Sequence, residues 1–364
     1  MPLTKRKTPP SVLPTRSSPG EQPSAASTST PFPSTVDSSK PAFKVGLLLP
    51  FSGPLAFLGE GYKMGIDLAL KENNGVISGI PVEIISADTD GTPNGTIAAA
   101  KGLMQQSKVN LMIGPGTSPE ALAALPIINE GQIPTIDATS TNPLLFAKAG
   151  IGGNPWYFRI NADEHILAQA FSSTITRNIS SIAIISEDDD FSRMVAAEYV
   201  NLFKNAGLNI TREEYTPATT TEYRPLLLQI RQGRPDALFL VLKENTCAIL
   251  LRQYKNSYTT IPVFSRGACA TNLFNQIVQD DPQIGENITE AVIFSELQDA
   301  PLARNFEKAV GQPLTGHRMA GYYAMKYVVI PAFQSLIQSG NTVTPENLQK
   351  AIAGIQVDTP LGRL

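Results

Sequence analysis

Two loops in the first half of the chain set hydroxyls beside glycine and proline. Gly114-Pro115-Gly116-Thr117-Ser118-Pro119-Glu120 follows the apolar run Leu111–Ile113, and Ala138-Thr139-Ser140-Thr141-Asn142-Pro143 follows the run 134–137. Ser118 reads as a helix N-cap with Pro119 in the first helical position. Glycine at 114 and 116 permits close approach of backbone to a ligand, and a helix N-terminus favours a carboxylate. Thr139, Ser140 and Thr141 add neutral donors for the same anion. Capping and turn chemistry accounts for either loop alone; two such loops on adjacent strand ends turn the reading toward binding. Phe57, just beyond the first strand, is counted among the ligand contacts. In the second half, Glu187-Asp188-Asp189-Asp190 precedes Phe191, and Lys243-Glu244-Asn245 and Arg266-Gly267 end later strands. Acids before a helix stabilise its positive end. One acid facing the ligand, Glu244 or a member of the 188–190 block, would hold an ammonium, Phe191 would cover an aliphatic part, and Arg266 faces either ligand or water.

Catalysis finds little support. His165 and His317 are the only histidines, and neither stands in HExxH spacing or beside a cysteine ligand. Gly59-Glu60-Gly61-Tyr62-Lys63-Met64-Gly65 is one residue longer than a dinucleotide fingerprint, follows a long loop and not a tight turn, and no P-loop occurs. No enzyme, cofactor or metal is expected.

The elements that must carry these residues alternate. Strands are expected at 45–49, 82–87, 111–113 and 134–137, with helices near 60–72, 97–106 and 120–130. A second series places strands at 182–186, 208–215, 237–242 and 262–265, with helices near 191–205, 222–231, 246–254 and 272–278. A strand at 291–295 and helices at 302–310, 321–338 and 345–353 remain. Short continuous apolar strands are the mark of parallel sheets covered by helices on both faces. The fold class is therefore α/β, with two doubly wound lobes and a cleft between them: residues 43–160 with 291–355 in lobe 1, and 161–290 with 356–364 in lobe 2. Hinges are expected near Arg159 and Ser295.

The chain has 364 residues, 42% of them apolar, and a formal charge of −3. That length suits two domains, and the charge gives no basic stripe for nucleic acid. No run reaches the roughly 20 apolar residues a membrane span needs. Residues 1–42 differ in kind: Pro, Ser and Thr supply 24 of them, as in a disordered tether. Neither an apolar signal core after Lys5-Arg6-Lys7 nor a lipid-attachment cysteine is visible. If the strands at 237–242 and 262–265 are neighbours, Cys247 and Cys269 come within bridging reach; buried free thiols are the other reading. Four sequons, at Asn94, Asn178, Asn209 and Asn287, do not alter the argument.

Three segments in order, GLLLPFSGPLAFLGEGYKMGIDLAL, IGPGTSPEALAALPIINEGQIPTIDATSTNPLL and YFRINADE, resemble the type I periplasmic solute-binding proteins of the branched-chain amino acid family that serve ABC transporters. The likeness runs from about Lys44 to the C-terminus. It implies a hinged, interlobe ligand site for an amino acid or related carboxylate or amide, an ABC permease as partner, a monomer, and a periplasmic or extracellular tethered location. A ligand-sensing domain of a membrane receptor or kinase is the alternative on the same fold. The resemblance gives Ser118 and Thr139 to Thr141 the ligand's carboxylate and amino group, and makes Phe191 the closing aromatic. Amino-acid binders of the family commonly carry a Tyr where this chain has Phe191, and often an acid where it reads Arg266-Gly267-Ala268, so an α-ammonium would lack its usual counter-charge. The ending VDTPLGRL resembles the family's penultimate region, and a shortened C-terminus is expected from it.

Overall fold

The computed structural model describes residues 41–364 except 151–152, 176–178, 258–260, 267, 270–271, 287 and 292–299. The expected tether thus lies almost wholly outside the described residues, as do the expected hinge at Ser295 and the sequons at Asn178 and Asn287.

The first sheet gathers β1 (Phe43–Leu49), β2 (Val76–Ile77), β3 (Ile80–Asp88), β4 (Leu111–Ile113), β5 (Thr135–Asp137) and β6 (Tyr157–Arg159) in the order β2-β3-β1-β4-β5-β6. All neighbours are parallel except the β2–β3 hairpin. Strand residues alternate between two cores, as a period of two requires when both faces are covered. Phe43, Val45, Leu47 and Leu49 enter one core while Leu48 enters the other; Leu111 and Ile113 join the first, Met112 the second.

Helices α1 (Ala56–Glu72), α2 (Pro93–Lys101), α3 (Ser118–Gly131) and the short α4 (Pro143–Lys148) follow strands of this sheet. A π-helical turn, Gly102–Ser107, extends α2. The Gly59-x-Gly61-x3-Gly65 spacing on α1 is a packing device. A Cβ on Gly65 would stand 1.9 Å from the Arg318 carbonyl oxygen, and one on Gly321 would stand 2.1 Å from that of Tyr62.

After β6 the chain enters α5 (Glu164–Ile175) and builds the second sheet from β7 (Ser181–Glu187), β8 (Asn209–Thr216), β9 (Ala237–Val241), β10 (Val263–Ser265) and β11 (Ile288–Glu290), ordered β11-β10-β9-β7-β8 and parallel throughout. Helices α6 (Asp190–Asn205), α7 (Arg224–Gly233), α8 (Glu244–Ser257) and α9 (Asn272–Ile277) accompany it. Here too alternate residues part: Ala183, Ile185, Leu238 and Leu240 to one core, Ile182, Ile184, Phe239 and Val241 to the other. The last strand stops at Glu290, ahead of the expected 291–295, whose greater part falls outside the described residues.

The chain then returns. Helices α10 (Ala300–Val310), α11 (Gly316–Tyr323), α12 (Ile330–Gln338) and α13 (Pro345–Ala353) supply Leu302, Phe306, Met319, Phe333, Leu348 and Ile352 to the core shared with β1; a π-helical stretch, Ala324–Val329, joins α11 to α12. Phe43 stacks on Phe333 with centroids 3.9 Å apart. Residues 356–364, expected in lobe 2, behave otherwise. Strands β12 (Asp358–Thr359) and β13 (Gly362–Arg363) make a hairpin whose Leu364 packs against the first sheet's core. Of the apolar residues in this segment Leu364 finds cover there, while Leu361 stays exposed.

Candidate functional site

In each sheet the first strand lies between the second long strand and the next: β3-β1-β4 and β8-β7-β9. Connections leave such a point in opposite directions and open a crevice at the carboxyl ends of the strands.

At the first crevice the two hydroxyl loops are tied together. Ser118 Oγ accepts from the Asn142 N–H at 3.3 Å, and Thr139 Oγ1 donates to the Gly116 carbonyl at 3.0 Å while Tyr62 donates to Thr139 at 2.7 Å. Asp137 holds the second loop from beneath, accepting from the N–H groups of Thr139 and Ser140 at 2.9 Å each and from the Tyr157 hydroxyl. Glu120 does the same for the first, its buried oxygens taking the hydroxyls of Thr89, Thr117 and Thr96. Burial pushes the Glu120 carboxyl above its ordinary range, against the pull of those hydroxyls. Ser118, Thr141, Ser140 and Gly116 are buried and Thr139 is half-buried. Phe57 remains exposed and meets His317 edge-on at 6.0 Å; burial pushes that imidazole down to about 4.

Two sequence expectations change here. The N-cap of α3 is Thr117, whose hydroxyl is drawn to Glu120, and Ser118 takes the first helical position. The glycines clear space for strand β1: a Cβ on Gly114 would fall 2.1 Å from the Leu48 carbonyl oxygen, and one on Gly116 would reach Pro50 at 3.0 Å.

At the second crevice Lys243 spans the gap between the ends of β7 and β9. Its Nζ meets Asp189 at 2.9 Å and buried Glu187 at 3.1 Å. Burial works against the ammonium, but these partners hold its pKa above the ordinary value. Asp189 also caps α6 through the Ser192 N–H, and Asp188 pairs with Arg193. The acids before Phe191 are thus committed to a cap and to cations; the side chain of Asp190 is outside the described residues. Glu244 opens α8, and Phe191 is half-buried against the second sheet's core.

Arg266 is turned away from water. It is buried and makes a two-pronged pair with Glu164, Nε to Oε1 at 2.8 Å and Nη2 to Oε2 at 2.9 Å. Burial opposes the charge, yet the Glu164 carboxylate beside it keeps the guanidinium above its usual pKa. Glu164 in turn donates its backbone N–H to the Thr141 carbonyl at 2.8 Å, which links the pair to the second hydroxyl loop across the chain crossing. Cys247 and Cys269 are joined by a disulfide, Cα atoms 5.7 Å apart, that fastens α8 to the loop after β10.

Sequence reasoning passed over Tyr62, Asp137, Arg159, Asn161 and Glu164. The segment YFRINADE held three of them, and its signal was a dense polar run directly after a short apolar strand.

A periodic repeat of crevices on two parallel sheets narrows the field, and sequence comparison decides it: a profile described as periplasmic binding protein matches residues 42–364. The chain belongs to the periplasmic binding protein family. Among its relatives is Leu/Ile/Val-binding protein homolog 6 of Brucella suis, 22% identical over 334 residues that cover 88% of this chain and 82% of that protein. Among solved structures, the branched-chain amino acid transporter substrate-binding protein LivJ from Streptococcus pneumoniae, in complex with isoleucine, superposes with a TM-score of 0.75 at 18% identity, covering 89% of this chain and 91% of that one. A solute-binding protein of an ABC transporter from Rhodopseudomonas palustris, in complex with 3,4-dihydroxybenzoic acid, gives 0.72 at 20% identity and 88% of both chains. The fold is accordingly that of the type I periplasmic binding proteins, as the sequence leads one to expect.

Proposed function

We propose that this protein is the extracytoplasmic receptor of an ABC importer and takes a small carboxylate or amide, an amino acid or a close relative, into the cleft between its lobes. The observation that carries the reading is the pair of bonds from Ser118 to Asn142 and from Thr139 to Gly116. They assemble one polar floor from two loops at a strand-order switch point, where small solutes bind in open α/β sheets. Ser118, Thr139, Ser140 and Thr141 supply neutral hydrogen-bond partners and Gly116 lies beneath them. Phe57 and Phe191 flank the apolar part, and Glu244 stands on the second lobe's side.

Closure of the second lobe about the crossing near Arg159 would bury the ligand and create the shape a permease reads. The solved relatives carry ligands as different as isoleucine and 3,4-dihydroxybenzoic acid, so the class includes both aliphatic and aromatic guests. A disulfide suits an oxidising, extracytoplasmic compartment, and no helix of the described residues is long and apolar enough to cross a membrane. The protein acts by binding, as a monomer and without turnover.

A thermal-shift screen of amino acids, amides and aromatic acids tests the proposal. At least one compound at about a hundred times its Kd should stabilise the fold by about 2.7 kcal/mol, a rise of several degrees. Ser118→Ala and Thr141→Ala, each compared with its own ligand-free melting point, should abolish the rise. A screen with no responder, or a response that both variants retain, overturns the proposal.

A further inference from the structure

Ser140, Arg159 and Asn161 converge at the edge of the second hydroxyl loop. The Arg159 Nη2 and the Asn161 Nδ2 both donate to the Ser140 carbonyl, the latter at 2.9 Å. Having met there, each keeps buried polar atoms that nothing in the protein satisfies: Nε and Nη1 of Arg159, Oδ1 of Asn161 and Oγ of Ser140. Ser140 itself is only 1% exposed. Buried polar groups in folded proteins are almost always hydrogen-bonded, and a buried charge is paired. Four unsatisfied atoms on three neighbouring residues at a strand-end crevice therefore mark a place built for a guest. The donors are two N–H groups of one planar guanidinium and a hydroxyl, the set that fits a carboxylate. Asp137 sits opposite Arg159 in the strand register but spends its oxygens on Tyr157, Thr139 and Ser140.

Most of the acids that an α-ammonium would need are committed elsewhere. Glu164 is held by Arg266, Glu187 by Lys243 and Thr246, Asp188 by Arg193, and Asp189 by Lys243 and Ser192. Glu120 serves three threonines, Asp163 caps the turn at Ile166, and Glu290 accepts from Ser265 and Cys269. Each of these carboxylates already has at least one partner, although one oxygen of Glu187 and one of Glu290 make no hydrogen bond; the guanidinium of Arg159 has two nitrogens in that state.

We infer that the ligand is a carboxylate without an α-ammonium, that Ser140 and Arg159 bind its carboxylate, and that Asn161 Oδ1 accepts from a neutral donor such as a hydroxyl beside it. The inference rests on the binding role proposed above and names the substrate class of that same site. Phe146, whose ring faces the Arg159 guanidinium with the centroid 6.0 Å away, leaves an apolar surface next to the charge for the rest of the guest.

Three compounds of one carbon skeleton separate the possibilities: leucine, 4-methylpentanoate, which lacks the ammonium, and 2-hydroxy-4-methylpentanoate, which replaces it by a hydroxyl. Benzoate and benzamide form an aromatic pair of like shape, one an anion and the other a neutral amide. Calorimetry on the whole chain should find the hydroxy acid and 4-methylpentanoate, or benzoate over benzamide, binding at least tenfold tighter than their partners. Arg159→Gln should weaken the carboxylates about 10- to 100-fold, the size of a charge-assisted hydrogen bond, and leave the neutral amide within about threefold. Ser140→Ala should cost less and in the same direction. Retained amide binding, or failing that an unchanged circular dichroism spectrum, shows that the Arg159 variant folds. Tighter binding of leucine than of both its analogues overturns the inference while leaving the receptor reading intact, and so does equal carboxylate affinity in wild type and Arg159→Gln. If no compound of any class binds, both fall.

Discussion

Glu164 and Arg266 stand 102 positions apart and finish as one buried ion pair with two parallel bonds. Neither residue alone announced this: Arg266 after a strand end reads as facing either ligand or water, and Glu164 was passed over. The pair becomes visible only when β10 and the start of α5 are brought together, because its driving force is mutual neutralisation in a place water has left. Removing one partner leaves a naked buried charge, which costs about 3–5 kcal/mol. Glu164→Ala or Arg266→Ala should lower stability by that amount in urea titrations. The double change to a well-packed apolar pair should recover most of it, and a single variant within about 1 kcal/mol of wild type would contradict the pairing. The same logic explains why Ser118 was legible as a site residue while Arg159 was not. Hydroxyls beside a glycine loop carry their meaning locally, but an arginine's meaning depends on which of its donors the folded chain leaves unused.

Helices α1 and α11 press together at glycines. Their closest approach is set by Gly65 and Gly321, where even a methyl group would overlap a carbonyl oxygen of the other helix. Sequence reading weighed the α1 glycines only as a nucleotide loop and set that aside. Their real use required a partner helix some 250 residues away, as the Tyr322–Glu72 bond on the same pair of helices shows. Gly321→Ala should cost about 1–3 kcal/mol by overpacking. Because the clash falls on Tyr62, whose hydroxyl supports Thr139, ligand affinity should drop as well. Gly102→Ala, where nothing lies within 4 Å of the new carbon, should be neutral or stabilise by up to about 1 kcal/mol. Equal effects from the two substitutions would refute the packing argument. The long apolar strands were read to within a residue or two, whereas β6, α4 and α5 were among the elements missed. Three residues ending in arginine and six after a proline are too short for a period to show, but α5, at 12 residues, was long enough and was still passed over.

The molecule as a whole has separate cores on its two sheets, and only the second carries the disulfide, which closes a separation of 22 residues. Such a loop is worth about 3 kcal/mol. Trp156, the single tryptophan, belongs to the first sheet's core, so its fluorescence reports on that lobe while far-ultraviolet circular dichroism reports on both. In the variant with Cys247 and Cys269 both changed to serine, the dichroism should begin to melt before the fluorescence; coincident curves in that variant would show that the lobes unfold as one. The return of α10 to α13 onto β1 has a further consequence for manufacture on the ribosome. Strand β1 emerges early yet gets half its cover from segments translated last, so that layer stays open until synthesis is nearly done. The residues between α5 and β11 form one uninterrupted stretch, with every partner of their sheet already in hand. An insert that matures while its host still waits leaves the N-terminal hydrophobic strand open to chaperones for a long interval.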